Sequence, residues 1–219
     1  MYKKIVNKYI KDVQSGKVVA CEFVKLAIKR HLSDLERTDL YFSEDAAEHF
    51  LKFSSYCKYT KGQLAKDKKN IELTPQQVFR YWCLFGWKRK NGSRRYRRVY
   101  FEVARKKGKS EEAAIVSLYM TIFDKEEGAE VYCCATSMSQ ARMVHDAAMV
   151  MARKLKADSP QIDGLVRLTG GGRTGGNISV LETNSKCEPL PANDEKLDGS
   201  NPSCGIVDEY HAHKTSDLL

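Results

Sequence analysis

Apolar positions in the first sixty residues recur at helical spacing. Val18, Val19, Phe23, Leu26, Ala27 and Leu32 outline one helix, and Ala46, Ala47, Phe50 and Leu51 outline another that starts near Ser43. Residues 58–70 are polar and lysine-rich and read as a linker or exposed loop. A third helix is predicted from Thr74 as N-cap with Pro75 at the first helical position. Val78, Tyr81, Trp82 and Phe85 form its apolar face, and Gly86 marks its end.

Beyond Gly86 the periodicity changes. Lys88, Arg89, Lys90, Arg94, Arg95, Arg97 and Arg98 crowd around an Asn91-Gly92 turn, and Val99, Phe101 and Val103 then alternate as a strand would. Gly108-Lys109-Ser110 opens a helix carrying Ala113, Ala114, Ile115, Leu118, Tyr119 and Ile122. A strand is expected over Glu130–Ala135, with Cys133 and Cys134 pointing to opposite faces. Ser137-Met-Ser-Gln140 has the form of a capping box before a helix that shows Ala141, Val144, Ala148, Met151 and Leu155 on one face. Residues 170–176 are turn-rich and lead to a strand at 177–183, and 187–202, with three prolines, reads as irregular. Cys204–Val207 is the last expected strand and runs straight into Asp208-Glu209. Strands alternating with helices predict an α/β fold, a mainly parallel sheet with helices on both faces.

Composition narrows the partners more than the fold. A chain of 219 residues is long enough for one large α/β domain or two small ones. The net charge of +9 favours nucleic acid or another polyanion as partner, although many basic domains bind neither. The seven cysteines are scattered and form no C-x-x-C pair, which points to a reducing compartment and ordinary thiols rather than disulfides or zinc. No apolar run approaches membrane-spanning length and the N-terminus lacks an apolar signal core, so a cytoplasmic protein is expected.

Two stretches carry chemistry. Strand, then Gly108-Lys109-Ser110, then helix is a context in which backbone N–H groups and the helix dipole meet phosphate oxygens. Lys109 would reach the β/γ-phosphates and the Ser110 hydroxyl would ligate Mg²⁺. The full phosphate-loop pattern also wants a glycine five residues before Gly108, where this chain has Val103. A glycine-ended turn with an exposed lysine would leave the same trace. The second stretch is Asp208-Glu209 at a strand end, where Asp208 would hold Mg²⁺ and Glu209 would polarise an attacking water. Two acids that merely end a strand are the bland alternative. Together the two stretches point to a nucleoside triphosphatase.

The stretches Ala104-Arg-Lys-Lys-Gly-Lys-Ser110, Leu73-Thr-Pro-Gln-Gln77 with Phe85-Gly86-Trp87, and Asp198-Gly-Ser-Asn-Pro202 running to Val207-Asp-Glu-Tyr-His-Ala-His213 resemble the ATPase domain of tailed-bacteriophage terminase large subunits. Members of that family are ATP-driven motors that package double-stranded DNA into proheads. The resemblance covers most of residues 70–213 and implies a RecA-like phosphate-loop core over 71–219, preceded by a helical segment at 1–70.

It also implies site roles. ATP and Mg²⁺ would bind on Ala104, Arg105, Lys106, Lys107, Gly108, Lys109 and Ser110, with Asp208 as the second metal ligand and Glu209 as general base. The family's phosphate loop dispenses with the first glycine and places an arginine four residues before the lysine. Here that is Arg105, which would stabilise charge on the γ-phosphate; a solvated or DNA-facing arginine is the alternative. Gln77 matches the family's adenine-reading glutamine, but Thr74-x-x-Gln77 is equally a capping box, and Gln76 could exchange roles with it.

Implied partners are double-stranded DNA, a terminase small subunit and a portal protein, with a homo-oligomeric ring as the working motor in the bacterial host cytoplasm and no membrane. The run 88–98 would contact DNA phosphates or form a solvated hairpin. Arg173 could reach a neighbouring subunit. His211 and His213 form an H-x-H that the resemblance places in the segment after the acids. The family's coupling motif and nuclease domain have no counterpart before Leu219, so a chain truncated after the acidic pair, an unpaired sheet edge and weak or absent turnover are expected. Another nucleic-acid-stimulated translocase or helicase, or an inert DNA-binding fragment, are the rival readings.

Overall fold

The computed structural model describes residues 1–104, 106–124, 126–170, 176–191 and 201–212. Chain contacts divide the protein into two compact units, one of Met1–Tyr56 with Ile71–Glu102 and one of Cys57–Asn70 with Val103–Leu219.

The first unit is helical with a small β-ribbon. Helix α1 (Tyr2–Gln14) buries Val6, Tyr9, Ile10 and Val13, an i, i+3, i+4, i+7 stripe. Helix α2 (Glu22–Asp34) does not use the apolar stripe its sequence advertises: Val18 and Val19 precede it, Val19 is 97% and Phe23 83% exposed, and its inner face is Ile28, His31 and Asp34. The two polar residues can be buried because each has a partner. The Trp87 Nε1–H donates to His31 Nδ1 at 3.0 Å, and the Asp34 carboxylate pairs with the Arg95 guanidinium.

Strand β1 (Leu40–Phe42) leads to α3 (Glu44–Tyr56), which packs on α5 (Pro75–Gly86). Phe50 stacks on Phe85 with ring centroids 3.9 Å apart. Helix α5 starts as its sequence predicts, with Thr74 as N-cap and Pro in the first turn. Its end has a different reason from the one expected. Gly86 lies inside the helix, and a Cβ built there would stand 2.3 Å from the Phe42 ring, so the glycine admits an aromatic ring rather than a left-handed cap. The chain then enters β2 (Trp87–Arg89), antiparallel to β1 with Phe42 opposite Trp87. The Asn91-Gly92 turn follows, with Gly92 at φ +82°.

The second unit holds a five-stranded sheet in the order β4-β5-β6-β3-β7. Its strands are β3 (Glu130–Ala135), β4 (Val166–Gly170), β5 (Gly176–Val180), β6 (Ser185–Pro191) and β7 (Cys204–Val207). The sheet is mixed, which corrects the expectation of a mainly parallel one: β3 runs parallel to β6 and β7, whereas β5 is antiparallel to both β4 and β6. The reversed strand is β5, which closes a hairpin with β4. The hairpin's connecting residues 171–175, Arg173 among them, lie outside the described residues.

Strand β6 occupies part of the stretch expected to be irregular. Its Pro189 is tolerated because β5 pairs with β6 only through Cys187, so the side of Pro189 away from β3 has no ladder to lose. Residues 99–103 pair with no strand among the described residues. Val99, Tyr100 and Val103 are exposed, and the Arg80 guanidinium sits 3.8 Å over the Phe101 ring.

Residues 57–70 belong to this unit, with a short helix α4 (Gly62–Lys66) and a Lys58–Asp158 ion pair. Helices α6 (Lys109–Ile122) and α7 (Met138–Asp158) pack on each other and both lie on β3 and β6. Helices on opposite faces of a sheet stand about 20 Å apart and cannot touch, so these two share one face, where helices on both had been expected. A short helix α8 (Pro160–Leu165) packs on α7 and β4. No helix among the described residues is long and apolar enough to cross a membrane.

Candidate functional site

The site forms where the start of α6 meets the end of β7. Helix α6 is buried on most of its circumference, including Ala114, Ile115, Leu118 and Met120, and this packing fixes where its first turn lies. Gly108 is its N-cap at φ +79°, a left-handed conformation suited to glycine, and no side chain caps the first turn. The leading N–H groups of α6 have no intrahelical partner, as at any helix start, and could meet a ligand. Lys106 also takes a positive φ of +64°, so the approach to the helix is a sharp turn. Ala104, Lys106 and Lys107 are exposed and Gly108, Lys109 and Ser110 half-buried; Arg105 lies outside the described residues.

Strand β7 is short, and its Val207 end packs against Tyr132, Cys134 and Leu190. The ladder continues one residue further, the Asp208 N–H donating to the Cys134 carbonyl at 2.9 Å. Glu209 then turns the chain at φ +50°, its own N–H donating to Asp208 Oδ1 at 3.0 Å, and a single 3₁₀ turn follows at Tyr210–Ala212. Strand pairing thus aims the Asp208 carboxylate, and the left-handed bend beside it aims Glu209.

Lys109 joins the two halves. Its Nζ lies 2.8 Å from Glu209 Oε1 and 2.9 Å from Asp208 Oδ1. The Glu209 hydrogen bond, then Asp208, raises the Lys109 pKa above its ordinary value and keeps the ammonium charged. Asp208 is 13% and Glu209 43% exposed, so the first is held by the strand while the second faces water. Glu209 also has the His211 ring 3.5 Å from its other oxygen, a contact that the H-x-H pattern of His211 and His213 did not foretell. On the helix side, Thr60 Oγ1 reaches Glu111 at 3.4 Å, tying the 57–70 segment to the first turn of α6.

The structure thus brings together Lys109, Asp208 and Glu209, with Ser110 next to Lys109 in the same turn. Gln77 lies in the other unit and closes the capping box. Its Oε1 accepts from the Thr74 N–H at 2.7 Å, and its own N–H donates to Thr74 Oγ1 at 3.4 Å. His213 lies outside the described residues.

The donor set suits a magnesium nucleotide. Uncapped helix N–H groups and an ammonium match phosphate oxygens, while a hydroxyl and a strand-end carboxylate are hard oxygen ligands of the kind Mg²⁺ takes. The described residues hold no separate group of three or more His, Cys, Asp or Glu side chains poised on a metal.

Fold and site define a mixed α/β protein whose central helix opens on a lysine paired with two strand-end acids. The family model described as "Terminase large subunit, ATPase domain" matches residues 75–219, and the chain belongs to that family. Among solved structures it is similar in fold to the HK97 bacteriophage large terminase, at 20% identity and a TM-score of 0.56. The alignment covers 74% of this chain and 30% of that one, so this chain spans under a third of that protein. No curated protein matches it.

Proposed function

We propose that the chain binds ATP·Mg²⁺ at residues 104–110 and hydrolyses ATP, and that within a terminase motor this drives the movement of double-stranded DNA into proheads. The Lys109 ammonium held between Asp208 and Glu209 carries the reading. Lys109 neutralises β/γ-phosphate charge, exchanging its carboxylate contacts for phosphate oxygens when nucleotide arrives. Ser110 and Asp208 hold Mg²⁺, which supplies charge neutralisation at the phosphates when bound. Glu209 orients water and accepts its proton, a role that its exposure and its bend away from the strand favour. Arg105 stabilises charge on the γ-phosphate and Gln77 reads adenine, both by the family resemblance.

A RecA-like core over 71–219 with a helical segment at 1–70, a homo-oligomeric ring, a small subunit and a portal protein as partners, and a host-cytoplasmic setting complete the proposal. The family match supports them.

Titration with ATP·Mg²⁺ is the direct test. Saturable binding that disappears in Lys109→Ala supports the site, and no binding at millimolar nucleotide would leave an inert DNA-binding fold. Turnover stimulated by blunt duplex with portal protein supports packaging, whereas stimulation by single strands would favour a helicase.

A further inference from the structure

One side chain in the first turn of α6 has no part in the phosphate and metal contacts proposed above. Lys109 and Ser110 are taken up by them, and Glu112 is buried. Glu111 is half-buried, and its Oε1 lies 3.4 Å from the Thr60 hydroxyl of the 57–70 segment. We propose, resting on the nucleotide reading of the same site, that Glu111 and Thr60 hold the ribose hydroxyls and select ribonucleotides over 2′-deoxynucleotides.

The helix sets the direction. Side chains two residues apart on a helix stand about 200° apart around its axis. Lys109 turns toward the end of β7, where its ammonium meets Asp208 and Glu209. Glu111 leaves the other side of the helix, toward Thr60. With Glu209 as base, the reacting phosphate belongs on the β7 side. The opposite side, that of Glu111 and Thr60, is left to the rest of the nucleotide.

The chemistry of the pair suits a sugar. A carboxylate repels phosphate oxygens but accepts well from a hydroxyl, and an acidic side chain on the 2′-hydroxyl is a recurrent way of reading ribose. At 3.4 Å the Thr60–Glu111 contact is longer than a well-formed O–H···O bond. A carboxylate offers about four acceptor positions, and a hydroxyl both accepts and donates. The pair therefore keeps capacity for two sugar hydroxyls at once.

Thr60 is held in place for this role. Cys57 is buried, the Lys58 ammonium pairs with Asp158, and Lys154 Nζ donates to the Tyr59 carbonyl at 2.6 Å. The Tyr59 N–H donates to the Lys69 carbonyl at 3.2 Å and closes the base of the segment. Lys154 and Asp158 belong to the last turns of α7, which packs on α6. One helix thus fixes both the segment and the helix it faces, and fixed partners lose less entropy when a ligand arrives.

Calorimetric titration of the full chain with ATP·Mg²⁺ and with 2′-deoxy-ATP·Mg²⁺ is the test. The wild type should favour ATP by roughly tenfold or more, the worth of a hydrogen bond to a charged acceptor. Glu111→Ala should erase that preference by weakening ATP alone, with 2′-deoxy-ATP bound as before or more tightly once the carboxylate is gone. Damage to the fold cannot produce that pattern. Glu111→Gln keeps an accepting oxygen and should retain part of the preference, and Thr60→Val should lose part of it. Equal binding of the two nucleotides by the wild type overturns the sugar assignment and leaves the nucleotide site standing. Equal weakening of both nucleotides in Glu111→Ala and Thr60→Val also overturns it, since the pair would then only clip the segment to the helix. A wild type that binds neither nucleotide overturns the nucleotide reading, and the sugar assignment falls with it.

Discussion

The Lys109 ammonium lies 2.8 Å from the Glu209 carboxylate although the two are 100 residues apart in the chain. Neither residue could find the other locally. Lys109 is placed by the packing of α6 on α7 and the sheet, and Glu209 by the pairing of β7 with β3. Between them they put a cation, two carboxylates and an uncapped helix start within one ligand's reach. A centre assembled this way is charged on both sides before any ligand arrives, so the proposed nucleotide binding there would be an exchange of ionic partners.

Replacing either partner should therefore separate binding from turnover. Glu209→Gln keeps the shape and a hydrogen-bonding oxygen but removes the base, so ATP should still bind while turnover is lost. Lys109→Met removes the phosphate's counter-charge and should weaken nucleotide binding roughly tenfold to hundredfold, equivalent to about 1.4–2.8 kcal/mol. A fluorescent ATP analogue and a phosphate-release assay read the two effects. Equal turnover in Glu209→Gln and wild type would remove Glu209 from its role as base.

What could be read from the sequence is what is short-range or chemically singular. Thr74 and Gln77 meet three residues apart, as do Ser137 and Gln140, so their caps were visible in order. Lys109, Asp208 and Glu209 were legible because few charged residues stand at an element's end in such a pattern. What was hidden depends on partners far along the chain. His31 and Asp34 look like surface residues until Trp87 and Arg95 are placed beside them, which is why the apolar stripe of α2 misled. Strand β6 hid behind its prolines, and the alternation at residues 99–103 found no neighbouring strand among the described residues.

Gly86 tests the helix–ribbon contact in the first unit. A Cβ there would fall 2.3 and 2.5 Å from Phe42 ring atoms. Gly86→Ala should cost about 1–3 kcal/mol through forced displacement of the ring. Adding Phe42→Leu should recover part of that loss, although Phe42→Leu alone destabilises, because the smaller side chain vacates the space the methyl needs. Urea denaturation of the four proteins in the cycle measures the coupling, and strictly additive effects would mean that the ring and the glycine do not touch.

His31 makes this unit sensitive to acid. Burial is the main reason its pKa is pushed below the ordinary value, with nearby Asp34 opposing, and its Nδ1 must stay unprotonated to accept from Trp87. The unfolded chain takes up a proton near pH 6.5, while the folded chain does so only at lower pH. Stability contributed by neutral His31 is thus complete above that pH and declines as pH falls toward the folded-state value, by at most about 1.4 kcal/mol per pH unit. His145, also pushed down chiefly by burial while its Nε2–H donates to the Cys187 carbonyl at 3.1 Å, adds a slope of the same sign. His31→Gln keeps an acceptor for Trp87 and removes one titration. Between pH 7.5 and 5 its melting temperature should fall less than that of the wild type, and parallel curves would show that His31 titrates alike in both states.

Gln77 gives the sharpest division between a structural and a recognition role. Its Oε1 accepts from the Thr74 N–H at 2.7 Å and from the Thr74 hydroxyl at 2.9 Å, so the cap uses the oxygen of the amide. Adenine reading would also draw on the amide N–H₂, because the base offers acceptors as well as a donor. Gln77→Glu retains the capping oxygen and places a negative charge at a helix N-terminus, where it is favourable. It should leave the melting temperature unchanged or slightly raised. Gln77→Ala should lose about 0.5–2 kcal/mol with the cap. If Gln77 also meets the base, Gln77→Glu should weaken ATP several-fold and narrow its preference over GTP, while its fold stays intact. Unchanged affinity and unchanged ATP-over-GTP preference in that variant would confine Gln77 to the helix cap.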